Sequence, residues 1–282
     1  MPLSASPADV ADAAPAAPAS AIDDHDTRPA ARTPMSLRVL TVNIHKGFSS
    51  FNRRFVLPEL REAVRAVGAD VVCLQEVHGQ HRRHSQHVRH WPPVPHYEFL
   101  ADSLWTEFAY GRNAVYPEGD HGNAVLSRLP ILSWDNHDVT FGGDESRGLL
   151  HCALRLPGTA AVLHVVCVHL GLREADRRRQ VLHLGALIAE RIPPGAPLVV
   201  AGDFNDWGER LDEPMHALGL QRAAAPGGAR HSVATFPSIA PVFSLDRFYL
   251  RGLRCRTTLV PRGMAWARMS DHLPLVAELE PD

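Results

Sequence analysis

No stretch of the chain approaches the roughly 20 consecutive apolar residues that a membrane-crossing helix needs, so no transmembrane segment is expected. Cysteine is scarce: Cys73, Cys152, Cys167 and Cys255 are widely spaced and form no CxxC pair. The first three lie inside apolar, strand-like runs, which reads as core thiols rather than disulfides or a zinc site and sets the expectation of a cytoplasmic protein. Neither sign of charge dominates, with Lys+Arg 29 against Asp+Glu 31 and a formal net charge of -2. That balance argues against a broad basic face for nucleic acid and leaves only a local patch open. There is no Gly-rich phosphate loop and no Ser or Cys in a strand-to-helix elbow, which removes the signatures of P-loop and covalent-nucleophile enzymes. A basic start followed by an apolar block is also missing, so no secretory signal is expected.

Apolar content of 45% and 21% charged residues suit a soluble globular protein, and 282 residues can bury a substantial core. Residues 1–36 are rich in Ala, Pro, Ser and Asp (ASPADVADAAPAAPAS) and hold too little apolar surface to offset chain entropy; they read as a disordered tail. From residue 37 to 282 one domain is expected. LRVLTVNI (37–44), ADVVCLQEV (69–77), GNAVLSRLPI (122–131), GLLHCALRL (148–156), AVLHVVCVHL (161–170), PLVVAGDF (197–204), SLDRFYLRG (244–252), CRTTLVP (255–261) and LPLVAELE (273–280) read as strands. Residues 54–67 read as a helix with Pro58 tolerated in its first turn, and 174–191 as a second, with Val181, Leu184, Leu187 and Ile188 on one face. Many strands with few helices point to packed sheets flanked by helices.

Histidines at 78, 81, 84, 87 and 90 alternate with Arg82, Arg83 and Arg89. The three-residue spacing suits a helical face and a metal or phosphate patch. With nothing apolar to anchor it, the segment reads instead as a solvated polar loop bordering Glu76. Trp91, Tyr97, Phe99, Trp105, Phe108, Tyr110 and Tyr116 crowd the next stretch; packing is the plainer reading, stacking on a base or lining a lipid site the sharper one.

The chemistry concentrates at strand ends. VVAGDFNDW carries Asp203 and Asn205 two positions apart, on one side of the backbone if the extension continues. Asp246 in SLDRFYL and Asp271 in SDHLPLV stand beside apolar strand residues, where an ionised carboxylate needs a partner or a metal. Glu76 ends VVCLQE and suits a hard cation, since Mg²⁺ prefers oxygen donors and takes few protein carboxylates. Asn43 and His169 close their strands in the same way. In Asp271–His272 one residue suits a metal and the other an oxyanion, with Asp246 orienting His272 and holding it protonated. Each residue alone also has an ordinary structural reading. Together they suit metal-assisted, in-line attack of water on a phosphoester.

The set and order VNIHKG, LQEV, GNAVLS, VHLG, GDFND, LDRFY and SDHLPL resembles the endonuclease/exonuclease/phosphatase superfamily, which includes DNase I, abasic-site endonucleases, neutral sphingomyelinases and inositol phosphatases. The resemblance runs over roughly residues 37 to 280, and the segments around VNIHKGFSSFNRRF and HYEFLADSLW resemble a bacterial subgroup. It implies a four-layer α/β/β/α sandwich of two mixed sheets with the active site at one edge. It further implies Glu76 as principal Mg²⁺ ligand (Mn²⁺ as an alternative), with Asn43 and Asp271 in support. Asp203 would activate the attacking water and Asn205 hold a phosphate oxygen, while His169 and the His272–Asp246 pair stabilise the transition state. Arg147 and Asn123 match substrate-phosphate positions more weakly. His45 stands where many nuclease members are acidic, and no long basic insertion is present. The expectation is thus a Mg²⁺-dependent phosphodiesterase acting on phospholipid, a small molecule or nucleic acid, with no protein partner inferred. Two alternatives stand beside it: a nuclease, and a binding module that kept the fold without turnover.

Overall fold

The computed structural model describes residues 36–102, 104–142, 146–224 and 233–282. The expected tail, residues 1–36, lies outside them except for Ser36. In chain order the elements are β1 (Leu37–Asn43), α1 (Leu57–Val67), β2 (Val71–His81), α2 (Arg82–His87), α3 (His96–Ala101), β3 (Glu107–Tyr116), β4 (Gly119–Ser127), β5 (Ile131–Asp138), β6 (Gly148–Arg155), β7 (Val162–His169), α4 (Glu174–Arg191), β8 (Leu198–Asp203), α5 (Asp212–Ala217), β9 (Gln221–Arg222), β10 (Asp246–Arg251), β11 (Leu253–Leu259) and β12 (Leu275–Pro281). They build two six-stranded mixed sheets, ordered β11-β12-β1-β2-β4-β3 and β5-β6-β7-β8-β10-β9.

Alternation of side chains sorts the apolar residues into three layers of contact. Val39, Val71, Cys73 and Val125 of the first sheet meet Cys152, Val165, Cys167 and Val199 of the second between the sheets. On the outer face of the first sheet, Leu40, Val72 and Leu74 pack on Leu60 and Val64 of α1 and Leu100 of α3. On the outer face of the second, Val166, Val168 and Val200 pack on Val181, Leu184 and Ile188 of α4 and Met215 of α5. The architecture is the expected α/β/β/α sandwich, and all four cysteines are free and buried in it.

Helix boundaries follow local chemistry. α1 starts at Leu57 rather than at residue 54, with Pro58 in the first turn where a missing N–H is harmless. It stops at Gly68, whose left-handed backbone (φ 66°) lets its N–H close on Arg65 O. α4 matches its expected span and adds a polar clamp. Gln180 Oε1 accepts the Gly171 N–H at 2.9 Å, and Arg177 Nη1 donates to Gly171 O at 3.1 Å, fixing the turn that follows His169.

Three expectations change. The run 122–131 is not one strand: β4 ends at Ser127, whose hydroxyl turns the chain by pairing with Leu129, and β5 starts at Ile131. The aromatic stretch contains an unexpected strand, β3, because Tyr110 and its neighbours pair with β4 while Trp105 is fully buried with its indole N–H on Ala69 O. The histidine segment is solvated over Arg82, Arg83 and residues 85–87, but it is not a loop. β2 continues through His81, His78 is buried, and residues 82–87 form α2. Trp91, Phe48 and Phe55 supply the apolar anchor from positions outside the segment. Burial pushes the His78 ring down to about 3 and the His96 ring well below the ordinary imidazole value, so both are uncharged.

Candidate active site

Strand pairing alone sets three of the polar residues side by side. In the second sheet, β8 lies parallel to β7 with Asp203 opposite His169, and antiparallel to β10 with Asp203 opposite Asp246. In the first, β1 and β2 run parallel with Asn43 opposite Gln75, next to Glu76. The two strand ends meet across the sandwich, where Asn43 Nδ2 donates to Asp203 Oδ2 at 3.2 Å and to Glu76 Oε1 at 3.4 Å.

Local backbone chemistry aims these groups. Glu76 adopts a left-handed backbone (φ 55°) and breaks the register of β2 with β4 between Leu74 and Val77. A bulge of this kind turns a side chain out of the pleat, and a non-glycine residue holds such a conformation only where its surroundings over-determine it. Glu76 Oε2 is buried with no hydrogen-bond partner among the described residues; the nearest charge is the Lys46 ammonium at 3.6 Å. Gly202 is required by close approach, since a Cβ there would sit 1.9 Å from Val168 O. Extension does not continue past Asp203. Asn205 is left-handed (φ 47°), its N–H turns back to Asp203 Oδ1 at 2.9 Å, and its side-chain amide reaches Leu170 O at 2.9 Å. The two polar side chains therefore do not share a strand face; the turn brings them together instead.

Asp203 is the hub. His169 Nε2 and His272 Nε2 both stand 3.6 Å from its Oδ2. Burial raises its pKa to about 6, with Asp246 adding to the rise, against the opposing pull of His272 and the hydrogen bonds from Asn205 and Asn43. Behind it, His272 Nδ1 lies 2.8 Å from Asp246 Oδ2, which also accepts the Thr235 hydroxyl at 2.6 Å. Burial opposes charge on His272, yet the carboxylates of Asp246 and Asp203 outweigh it and push the pKa up to about 10. His169 is the opposite case: burial, with Arg147 and His272 nearby, holds it well below the usual value. Asp203 thus faces one imidazole held charged and one held neutral.

The remaining expected residues fall around this hub. Asp271 is linked through Ser270, whose hydroxyl lies 2.7 Å from Asn43 O and 3.3 Å from Asp271 Oδ1. Among the described residues no hydrogen bond or ion pair joins Asp271 directly to Glu76. Arg147 is buried, not a surface arginine, and its Nε donates to Leu170 O at 3.3 Å, the same carbonyl that anchors Asn205. Asn123 is farther back: its amide bridges Gly148 O (3.0 Å) and Cys167 O (3.3 Å), tying β4 to the second sheet.

Several neighbours carried no readable signal in the sequence. Lys46, Thr235 and Ser270 join the network only through tertiary contact. So does an aromatic wall, in which Phe236 lies 4.9 Å from His272 and 5.4 Å from Trp207, and Trp207 packs 4.9 Å from Phe243. The cluster at 97–116 is the packed one, and the aromatics at the site come from elsewhere.

For a hard divalent cation, the donor chemistry fits. A buried carboxylate oxygen of Glu76 lacks a hydrogen bond among the described residues, and Asn43, 3.4 Å away through its amide nitrogen, and Asp271, joined to Asn43 through Ser270, are the other side chains that could offer oxygens. This donor set is loose, as befits an ion that keeps several waters and takes one or two protein carboxylates.

Comparison with known proteins places the chain among relatives of the same fold. The chain is 50% identical over 252 residues to the uncharacterized protein YbhP of Escherichia coli (strain K12), covering 89% of this chain and 99% of that protein. Its fold is similar to the crystal structure of an endonuclease/exonuclease/phosphatase from Beutenbergia cavernae DSM 12333, with TM-score 0.70, 22% identity, and 87% of this chain and 72% of that one covered. It is also similar to the human Nocturnin catalytic domain with bound sulfate anion, with TM-score 0.64, 18% identity, and 89% and 97% of the two chains covered. The model of the Endonuclease/Exonuclease/phosphatase family matches residues 40–272, a span that takes in every strand end meeting at Asp203, and the chain belongs to that family.

Proposed function

We propose that the protein is a metal-dependent phosphodiesterase whose single catalytic domain spans residues 37–282 and works by in-line attack of water. The observation that carries this reading is a buried Asp203 that faces Asn43, His169 and the charged ring of His272 across one small space. A carboxylate kept near pKa 6 by burial is a suitable acceptor for the proton of an attacking water.

In this reading Glu76, Asn43 and Asp271 would hold Mg²⁺, with Mn²⁺ as a substitute; the Asn43 Oδ1 accepts the His45 N–H and keeps a second lone pair that would serve as the donor. The bound ion supplies Lewis-acid neutralisation of charge on the phosphoryl oxygens. Asp203 takes the proton of the attacking water at Oδ2. Asn43 holds that oxygen in place by its amide N–H. His272, charged and fixed by Asp246, donates from Nε2 to a phosphoryl oxygen as negative charge builds there. His169, neutral, adds a second hydrogen bond without competing for the proton on Asp203. One N–H of the Asn205 amide is spent on Leu170 O, and the other is directed to a phosphate oxygen. Arg147 lends positive charge from behind the same loop, and Asn123 supports the site by holding the two sheets in register.

The test is hydrolysis of bis-p-nitrophenyl phosphate, followed by a panel of phospholipids and oligonucleotides, with Mg²⁺ or Mn²⁺ and with EDTA. The reading expects turnover that chelation abolishes and that Asp203→Ala removes. Turnover that survives either treatment overturns it. Tight, metal-dependent binding of phosphate esters without turnover would favour a binding module instead.

A further inference from the structure

The strap from β2 through α2 gathers histidines that phosphoester chemistry does not use. We propose that His78, His81 and His84 form a second metal site, one that takes a borderline-soft divalent ion of the zinc class.

One ring nitrogen from each of the three lies within 4.8 Å of the others. Two ligands of a single tetrahedral zinc, at Zn–N of about 2.0–2.1 Å, stand about 3.3 Å apart, so small side-chain rotations close the set. Nitrogens are available for the purpose. His78 Nδ1 is engaged by Asp120 O and the Tyr116 hydroxyl, each at 3.2 Å, which leaves Nε2 buried with no hydrogen-bond partner among the described residues. His84 Nδ1 is buried in the same unpartnered state. His81 stacks on His84 with ring centroids 3.6 Å apart and a tilt of 7°. Its Nδ1 accepts the His84 backbone N–H at 3.1 Å, and ligation exchanges that helix cap for the ion.

The surroundings agree. Both ring nitrogens of His96 are buried and unpartnered among the described residues, 5.4 Å between ring centroids from His78. Trp91 covers the group, 4.5 Å from His96 and 5.2 Å from His84. Buried polar nitrogens without partners are costly, and such a concentration of them calls for an occupant. The donors are all imidazole, which selects Zn²⁺, Cu²⁺ or Ni²⁺ over the oxygen-seeking Mg²⁺ and Ca²⁺. The two sites are therefore distinguished by ligand chemistry, although His78 follows Glu76 by only two residues. Occupancy would staple α2 to the end of the strand that carries Glu76.

The experiment uses the untagged full-length protein, stripped of metal and then titrated with Zn²⁺ or Co²⁺ in excess Mg²⁺, which saturates the oxygen site. Calorimetry is expected to show one zinc equivalent, and Co²⁺ to bring visible absorption bands from nitrogen ligation. The double variant His81→Ala/His84→Ala, at two partly exposed positions, is expected to weaken zinc binding at least tenfold and lose the bands; His84→Gln alone tests the same point with less disturbance to α2. Glu76→Gln is expected to keep both signals. Wild-type zinc affinity in the histidine variants, loss of the signal in Glu76→Gln, or no zinc bound by the wild type would each overturn the proposal. None of these outcomes depends on catalysis, so the phosphodiesterase reading stands or falls separately.

Discussion

Asp203 and Asp206 lie three residues apart on one turn, and each is about 1% exposed, yet they are opposite in kind. Asp206 is locked to Arg247: Nη1 donates to its Oδ2 at 2.8 Å, Nη2 to its backbone carbonyl at 2.7 Å, and the Leu211 N–H adds a third bond at 2.9 Å. Burial raises its pKa, but these partners more than reverse the shift and leave it below the usual value. Asp203 faces amide and imidazole groups, and its pKa rises to about 6. Burial alone does not separate the two carboxylates. Their partners do: a guanidinium bonds the Asp206 side chain directly at 2.8 Å, whereas the imidazoles of His169 and His272 stand 3.6 Å from Asp203 and leave room for a further group in the proposed reading.

The largest expected effect tests the first half of that contrast. Asp203→Asn should lower kcat on bis-p-nitrophenyl phosphate by about 10²–10⁴, the usual scale for a lost acid–base group. Its melting temperature should hold or rise, since a poorly compensated buried carboxylate has been removed. A variant that keeps its rate but loses its fold would reverse the two assignments.

Arg247→Leu probes the second half. It leaves the buried Asp206 with only the more distant Arg177 guanidinium, at 3.9 Å, as counter-charge, and breaking such a buried pair costs up to about 3–5 kcal/mol. Urea unfolding should register that loss, and a midpoint like that of the wild type would break the comparison.

Thr235→Val should act through position rather than contact with the reacting atoms. It removes one hydrogen bond to Asp246, a bond to a charged group being worth about 1.5–3 kcal/mol. A fall in kcat of about tenfold or more with little change in KM is expected, and a KM effect alone would place Thr235 outside the network.

The smallest effect concerns a buried pair that carries no charge. His151 Nε2 lies 2.9 Å from His164 Nδ1, and burial lowers the His151 pKa from 6.5 to about 4. Unfolding therefore takes up a proton between those values, so stability is full above pH 6.5 and declines as pH falls toward 4. Urea midpoints across this window should drop in the wild type and flatten in His151→Gln; an identical slope in both would rule out the pair as its source.

Much of this was legible in one dimension. Leu40, Val72 and Val166 alternate with residues of the opposite face because a strand has period two, and the α4 stripe of Val181, Leu184 and Ile188 has the helical period. Polar residues terminating such runs (Asn43, Glu76, His169, Asp203) stood out because burial needs a reason for them. Less legible were features whose cause lies elsewhere in the chain. The anchoring of His78 and His84 is not legible in the histidine segment because Trp91 and Phe48, which pack on those rings, lie outside it. The strand pattern ends at residue 204, and no local pattern announces the φ of 47° that turns Asn205 back toward Asp203. β3 went unseen because its pairing with β4, not its own sequence, makes it a strand.

The order of residues by itself determined the layers, the strand ends and the kinds of side chain placed there, since periodicity and burial act over a few neighbouring residues. Only the tertiary structure decided which of two nearly adjacent carboxylates is free to work, which histidine is charged, and where imidazoles collect. Those properties depend on electrostatics and desolvation between groups far apart in the chain, and local sequence does not encode such distances.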